Sequence, residues 1–290
     1  MSKTKVLFII NPISGTGKQK IVEKLLEKHL DTQHIEYDIT YTERAKHAIE
    51  IAKEAKNKYD IITAVGGDGS VNEVGSQLIG SNTTLAIIPV GSGNGLARHL
   101  KIPLTIKNAI ETINNLKKTT IDVVKINDGY FLGTAGTGFD ARIGWLFSQA
   151  KKRGFWTYFK ITVKEYFNYN EGVYNIAFDD EKIKTKALLI TFANSNQYGN
   201  NAYISPNSKL DDGLIRIIIL KKFPLLYSLN FAYKLFNKKI NTFKYIKELE
   251  GKNITIFPPK KELHIDGEPA LTESEINLTI QPLALKIIVP

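Results

Sequence analysis

Over residues 6–116, short apolar runs alternate with stretches whose apolar residues recur every three or four positions. Residues 6–10, 36–41, 61–65 and 85–89 have the length and composition of strands, and 18–30, 45–57, 72–79 and 106–116 carry helical spacing. Strands and helices in alternation predict a parallel, doubly wound sheet, whose ligands bind beyond the carboxyl ends of its strands. After about residue 120 the pattern changes to short β-rich runs at 123–126, 130–134, 174–178, 187–192, 214–220, 253–257, 263–265 and 276–280. Several are bounded by Asp-Gly, Asn-Asp-Gly or Pro-Pro turn signals. They predict a second, mostly antiparallel β domain, a sandwich, interrupted by helical material near 141–170 and 224–238. The expected fold class is therefore α/β plus β, with an α/β domain over 1–125 and a β-sandwich domain over 126–290.

Composition narrows this picture only slightly. A chain of 290 residues, 43% hydrophobic and 23% charged, suits two soluble globular domains. Its first residues lead directly into a strand-like run without the apolar core of a signal peptide, and no apolar segment is long enough to span a bilayer. Without cysteine there are neither disulfides nor thiolate metal sites, which agrees with a reducing cytosol. A formal charge of +10 suits nucleic acid, an anionic membrane or a polyanionic substrate such as ATP, and equally a solvated lysine-rich surface. Neither zinc-finger spacing nor an RNP-type aromatic box is present, so nucleic acid is not expected as a partner. The five histidines, His29, His34, His47, His99 and His264, show no metal-ligand spacing.

Chemistry concentrates at the ends of the predicted strands. Gly66-Gly67-Asp68-Gly69-Ser70, with Asn72-Glu73 behind it, follows the apolar run at 61–65. Glycines there leave backbone N–H groups free to close on a phosphate, and Asp68 stands among them to hold a cation. Asn11-Pro12-Ile13-Ser14-Gly15-Thr16-Gly17-Lys18 follows the first strand. It is not a Walker A loop, because Pro12 and Gln19 occupy positions that need Gly and Ser or Thr. It is either a further phosphate-binding turn or a plain helix-capping loop. Pro89-Val90-Gly91-Ser92-Gly93-Asn94-Gly95-Leu96-Ala97-Arg98 is a second glycine-dense turn. Two such turns at strand ends of one sheet converge on one ligand.

These segments, together with Gly136-Thr137-Gly138-Phe139-Asp140-Ala141 and Asp266-Gly267-Glu268, resemble the diacylglycerol kinase catalytic domain family, which includes bacterial lipid kinases and sphingosine kinases. Five motifs stand in the family's order from residue 11 to residue 268. The resemblance implies a phosphofructokinase-like α/β domain and a β-sandwich domain with ATP in the cleft between them. It implies that Asn11, Pro12, Ile13, Ser14, Gly15, Thr42, Gly66, Gly67, Asp68, Gly69, Ser70, Val71, Asn72 and Ser92 line the ATP site. Asp68 and Asp122 match the network that holds catalytic Mg2+, and Glu268 matches the general base. Lys209-Leu210-Asp211-Asp212-Gly213-Leu214 resembles a structural magnesium site formed by Asp212 with the carbonyls of Lys209 and Leu214; the residues by themselves read more readily as a simple Asp-Gly turn.

The implied activity is transfer of the γ-phosphoryl group of ATP to a hydroxyl of diacylglycerol or a related lipid. Gly95, where diacylglycerol kinases often carry Asp, makes Ser92-Gly93-Asn94-Gly95-Leu96-Ala97 closer to sphingoid-base kinases, so a sphingoid base is the alternative acceptor. NAD kinase shares the Gly-Gly-Asp-Gly turn but lacks the Pro-x-Gly-Ser-Gly-Asn and Asp-Gly-Glu arrangements, and a non-catalytic scaffold does not explain Asp68, Asp122 and Glu268 together. The expected partners are ATP, Mg2+, a lipid, the anionic surface of a membrane, and a second copy of the chain in a homodimer. The expected location is the cytoplasm, peripheral to the inner face of the membrane. The cation- and aromatic-rich segments at 151–160 and 223–239 are the candidates for that contact, with core-packed helices as the plainer reading of each.

Overall fold

The computed structural model describes residues 3–13, 21–150, 155–272 and 274–290. Strands β1 (Thr4–Ile10), β2 (Ile35–Tyr41), β3 (Ile61–Gly66) and β4 (Thr84–Pro89) run parallel in the order β2-β1-β3-β4. Helices α1 (Val22–His29), α2 (His47–Ala55), α3 (Asp68–Leu78), α4 (Gly95–His99) and α5 (Ile106–Asn114) accompany them. Successive strand residues point to opposite faces, and both faces of these strands are apolar. Val6, Phe8 and Ile10 share a core with Val22 and Leu26 of α1 and with Ala109 and Ile110 of α5. Leu7 and Ile9 share the opposite core with Ala48 and Ala52 of α2 and with Val71 and Val74 of α3. Chain order reverses between β1 and β3, so the crevice beyond their carboxyl ends is the natural ligand position of this sheet.

Past α5 the chain builds β5 (Lys118–Ile126), β6 (Gly129–Phe131), β7 (Thr134–Gly138), α6 (Phe139–Ser148) and α7 (Phe155–Asn168). Then follow β8 (Gly172–Phe178), β9 (Glu181–Ala187), β10 (Leu189–Ala193) and β11 (Ile215–Leu220). A 3-10 turn at Leu225–Tyr227 leads into α8 (Ser228–Phe236). The last strands are β12 (Ile246–Gly251), β13 (Asn253–Phe257), β14 (Glu262–Ile265), β15 (Glu268–Leu271) and β16 (Ile276–Ile288). One sheet of this half, β12-β11-β10-β7-β14-β15, is antiparallel throughout. Ile190, Phe192, Ile215 and Ile217 on it pack against Tyr174, Ile176, Ile254 and Ile256 of β8 and β13, which makes the expected sandwich.

The two halves share a sheet. The 13-residue β16 pairs with β13 and β5 and then reaches β4 in parallel, Ile287 opposite Leu85, so the parallel sheet runs on into the sandwich as one ten-stranded sheet. Its register shifts between Gln281 and Leu285, where Leu283 takes a positive φ of 48°. Asp122 of β5, fully buried, fills that bulge: its Oδ1 accepts the Leu283 N–H at 2.7 Å and its Oδ2 the Gly213 N–H at 2.7 Å.

Several local expectations differ from the structure. The strand expected at 130–134 is broken at Leu132 and Gly133, whose N–H groups turn to the Asp266 carboxylate instead of a ladder. Strands β7, β9, β12 and β15 lie where no complete apolar run marks them. Helix α3 begins at Asp68, four residues before the helical spacing at Asn72, with Gly67 as its N-cap. Ser14 and Gly15, and the expected helix start at Lys18, lie outside the described residues, as does the basic start of the 151–160 segment.

Candidate active site

The early start of α3 changes what the Gly-Gly-Asp-Gly segment is. Asp68, Gly69 and Ser70 form the first turn of the helix, and no side chain caps it. The N–H groups of Gly69 and Ser70, reinforced by the helix dipole, open at the carboxyl end of β3. Val71 does not join them: its N–H donates to Gly67 O at 3.0 Å and its side chain lies in the core. Across the point of chain reversal, Asn11 Nδ2 donates to Ser70 Oγ at 3.2 Å while its Oδ1 accepts the Ile13 N–H at 3.1 Å. Thr42, buried at the end of β2, donates its N–H to Ile10 O, and Pro12 and Ile13 are exposed beside it.

The second glycine turn meets the first backbone to backbone. A Cβ on Gly91 would stand 2.4 Å from Gly67 Cα, a distance no side-chain-bearing residue tolerates. Asn94 adopts φ 54° and folds its Nδ2 back onto Gly91 O at 2.8 Å, leaving Ser92 exposed at the tip. Asp68 binds this turn: its Oδ2 accepts the Asn94 N–H at 2.8 Å and its Oδ1 the Gly95 N–H at 2.7 Å. Burial, with the charge of Asp266 added, nevertheless pushes the Asp68 carboxyl up to about 6. Asn200 N–H, from the sandwich side, and Arg98 Nε of α4 both donate to Gly93 O, and Arg98 also reaches across to Asn201 Oδ1 at 3.1 Å.

Glu268 arrives from the other half of the molecule. Asp266 and Gly267, with φ of 46° and 82°, make a tight two-residue hairpin between β14 and β15, and Glu268 is the first residue beyond it. Its carboxylate lies over the first turn of α3, where a Cβ on Gly69 would come within 2.7 Å of Glu268 Oε1. The hairpin is held in that pose by Asp266, which is buried. Asp266 accepts N–H groups from Leu132 (2.9 Å), Gly133 (2.8 Å) and Thr134 (3.0 Å), and the Asn72 amide at 2.8 Å. Burial raises its pKa against the lowering effect of those four donors. Asn72 thus acts on the hairpin, and its amide also donates to Tyr130 O at 2.8 Å. Buried Asn194 joins the same framework, donating to Leu132 O and Asp122 O, both at 2.8 Å. Beside the hairpin, His264 Nε2 lies 3.1 Å from Asp140 Oδ2, which sets the Gly136 to Ala141 motif against the Asp-Gly-Glu motif.

Glu268 stands out in the sequence as a candidate base, whereas the roles of Asp266 and Asn194 do not. The signal for Asp266 was present in Asp-Gly-Glu, but its four donors come from residues 72 and 132–134, a convergence that no linear spacing displays.

Two places were expected to hold a cation, and in both the carboxylate is already hydrogen-bonded within the chain. Around the first turn of α3 stand Asp68, Asp266 and Glu268, and Glu73 is raised by burial and by the charge of Glu268. Among the described residues no three His, Cys, Asp or Glu form a ready cage. Mg2+ needs none: it is held by one or two carboxylates, waters and substrate phosphates, which suits Asp68 at the edge of a phosphate cradle. At the second place the carboxylate is likewise engaged within the chain. Asp212 Oδ1 closes on its own chain at Leu214 N–H (3.1 Å), and Oδ2 pairs with Arg216 at 2.8 Å, so its charge is already met. The exposed Lys209 and half-buried Leu214 flank an Asp-Gly turn.

The comparisons with known proteins agree with this geometry. Residues 5–126 match the diacylglycerol kinase catalytic domain, and residues 133–289 match the YegS C-terminal NAD kinase beta sandwich-like domain. The chain belongs to the diacylglycerol kinase family. It is 30% identical over 228 residues to a diacylglycerol kinase of Staphylococcus saprophyticus, covering 76% of this chain and 74% of the relative. It is 27% identical over 282 residues to a diacylglycerol kinase of Bacillus subtilis, covering 92% and 90%. The crystal structure of a diacylglycerol kinase from Bacillus anthracis shares the fold at a TM-score of 0.77 and 24% identity, over 100% of this chain and 98% of that one. As a member of this family the chain is a lipid kinase of the diacylglycerol kinase type. No helix among the described residues is long and apolar enough to cross a membrane.

Proposed function

We propose that this kinase transfers the γ-phosphoryl group of ATP to the free hydroxyl of diacylglycerol, in the cleft between an α/β domain at 1–125 and a β domain at 126–290. The observation that carries the reading is the contact of Glu268 with Gly69, which sets a carboxylate of one half over the phosphate cradle of the other. Glu268 accepts the proton of the acceptor hydroxyl as its oxygen attacks the γ-phosphorus, in line with the departing ADP oxygen. The first turn of α3 and Ser92-Gly93 of the second turn orient the phosphates through backbone N–H groups, and Asn11 fixes Ser70 beside them. Asp68 would hold Mg2+, which would supply neutralisation of the charge on the transferring phosphates. Asp266 keeps the Glu268 hairpin in register with the cradle.

The sphingoid alternative rested on Gly95, and the packing accounts for that glycine otherwise. A Cβ there would lie 3.0 Å from Gln197 O and 3.2 Å from Tyr198 C, so the loop from the sandwich packs closely against the small residue. An acceptor that lives in a bilayer implies work at the anionic inner surface of the cell membrane, from the cytoplasm. The test is transfer of radiolabel from ATP to diacylglycerol, sphingosine, NAD and no acceptor in parallel, with and without Mg2+. Label is expected in phosphatidic acid alone and only with Mg2+. Label in a sphingoid base or in NAD, with none in phosphatidic acid, overturns the assignment.

A further inference from the structure

We propose that the 3-10 turn at Leu225–Tyr227, the outer side of α8 and the lysine-lined groove beside them form one docking face for a bilayer rich in anionic phospholipid. Helix α8 is apolar on two sides. Tyr227, Phe231 and Leu235 pack inward on a buried cluster that includes Phe223, Ile240 and Phe243. Leu226, Leu229, Tyr233 and Phe236 follow one another at spacings of three and four and lie on the other side. Leu226 is 86% exposed and Leu229 85%, far beyond what an isolated surface leucine needs, with Tyr233 at 57% and Phe236 at 54%. A row of this kind needs a cover.

Charge says which cover. Residues 221–247 contain seven lysines and no acidic residue. A groove of about 430 Å³ between β9, β11 and β12 is lined by Lys184, Lys221, Lys244 and Lys247. It is continuous with the turn, because Lys244 Nζ lies 4.0 Å from the ring centre of Tyr227 and 4.9 Å from that of Tyr245. Exposed leucine and aromatic side chains framed by lysines, without acids, match an interface of acyl chains beneath anionic headgroups. A second copy laid on the same face by two-fold symmetry would oppose lysine to lysine. The face also sits one loop from the active site: Tyr203 N–H donates to Leu235 O of α8, and Asn200 N–H of that loop donates to Gly93 O.

The proposal draws its rationale from the lipid-kinase reading, but binding is measured without turnover, so the two can fail separately. The experiment is co-sedimentation of the full chain with vesicles of phosphatidylcholine alone or mixed with phosphatidylglycerol, at low and high salt. The wild type is expected to bind the mixed vesicles and to lose that binding with salt. L226E/L229E is expected to weaken partitioning about tenfold or more with an unchanged thermal midpoint, and the milder L226S/L229S to weaken it less. K221E/K247E is expected to weaken binding to mixed vesicles and to flatten the salt dependence. Wild-type affinity in both leucine variants, or no binding of the wild type to mixed vesicles, overturns the proposal. So does a lipid-free wild-type dimer that L226E/L229E splits into monomers, since the face then joins copies of the chain. A wild type that binds vesicles yet transfers no phosphate to detergent-dispersed short-chain diacylglycerol leaves this face standing and removes the lipid-kinase reading instead.

Discussion

Asp212-Gly213 and Asp266-Gly267 are both tight turns, with the glycine at φ 69° and 82°. Asp212 stays local: its carboxylate closes on Leu214 N–H and pairs with Arg216, four residues on. Asp266 reaches out of its hairpin, buries itself, and gathers the N–H groups of 132–134 and the amide of Asn72. The first turn shapes one loop. The second fastens the sandwich to the α/β half and thereby sets Glu268 over the first turn of α3. What separates the two is the company each carboxylate keeps, and only the second couples a turn to chemistry.

The contrast can be broken most severely at Asp266. Asp266→Ala leaves three buried N–H groups without an acceptor and is expected to cost about 3 kcal/mol or more in a denaturation experiment. It should also abolish turnover, and a stable, active variant would remove the clamp from the account. Gly69→Ala asks a narrower question. Its new Cβ meets only the flexible Glu268 side chain and no backbone, so stability should hold while kcat falls about tenfold to a hundredfold. Unchanged kcat would mean that Glu268 has no work at that position.

Acid offers a third test, directed at the loop between the halves. His99 Nδ1 accepts the Asn196 N–H at 2.9 Å, and burial pushes its imidazole pKa down to about 4 from 6.5. Above pH 6.5 the ring is neutral in the folded and unfolded chain alike. As pH falls from 6.5 towards 4 the unfolded chain takes up the proton first, so this contribution to stability is lost across that window. Thermal midpoints should therefore drop over the window in the wild type and drop less in His99→Asn, which keeps an acceptor at the Nδ1 position. Equal slopes would contradict the assignment. The smallest effect belongs to Asp212→Asn, because Arg216 keeps Glu250 at 3.2 Å: about 1 kcal/mol in stability and no change in kcat or in Mg2+ dependence. Altered Mg2+ dependence there would erase the difference between the two turns.

Much of the first half was legible because its signals are local. Strands buried on both faces print continuous apolar runs such as Val6 to Ile10, and the helices between them print their own period. The beginning of α3 was not legible, since Gly66, Gly67 and Gly69 read as a loop whether or not a helix starts there. Nor was β7, whose Gly136 and Gly138 lie under His264, Asp140 and the backbone of Leu188 and Leu189. The path of β16 depends on pairing with β4 and β5, more than 150 residues away in the chain. Asp122 shows the same limit: its neighbours in sequence do not disclose that it fills a bulge formed at Leu283. Motif order brought the site residues into one frame, and tertiary contacts decided which of them carry the frame.

The most direct measurement is of Glu268→Gln, with ATP affinity and turnover on diacylglycerol determined side by side. Gln keeps the size of the side chain and cannot take the hydroxyl proton, so kcat is expected to fall about a hundredfold or more while ATP binding stays as in the wild type. A variant that keeps its kcat, or loses only its affinity for ATP, contradicts the placing of a general base across the two halves.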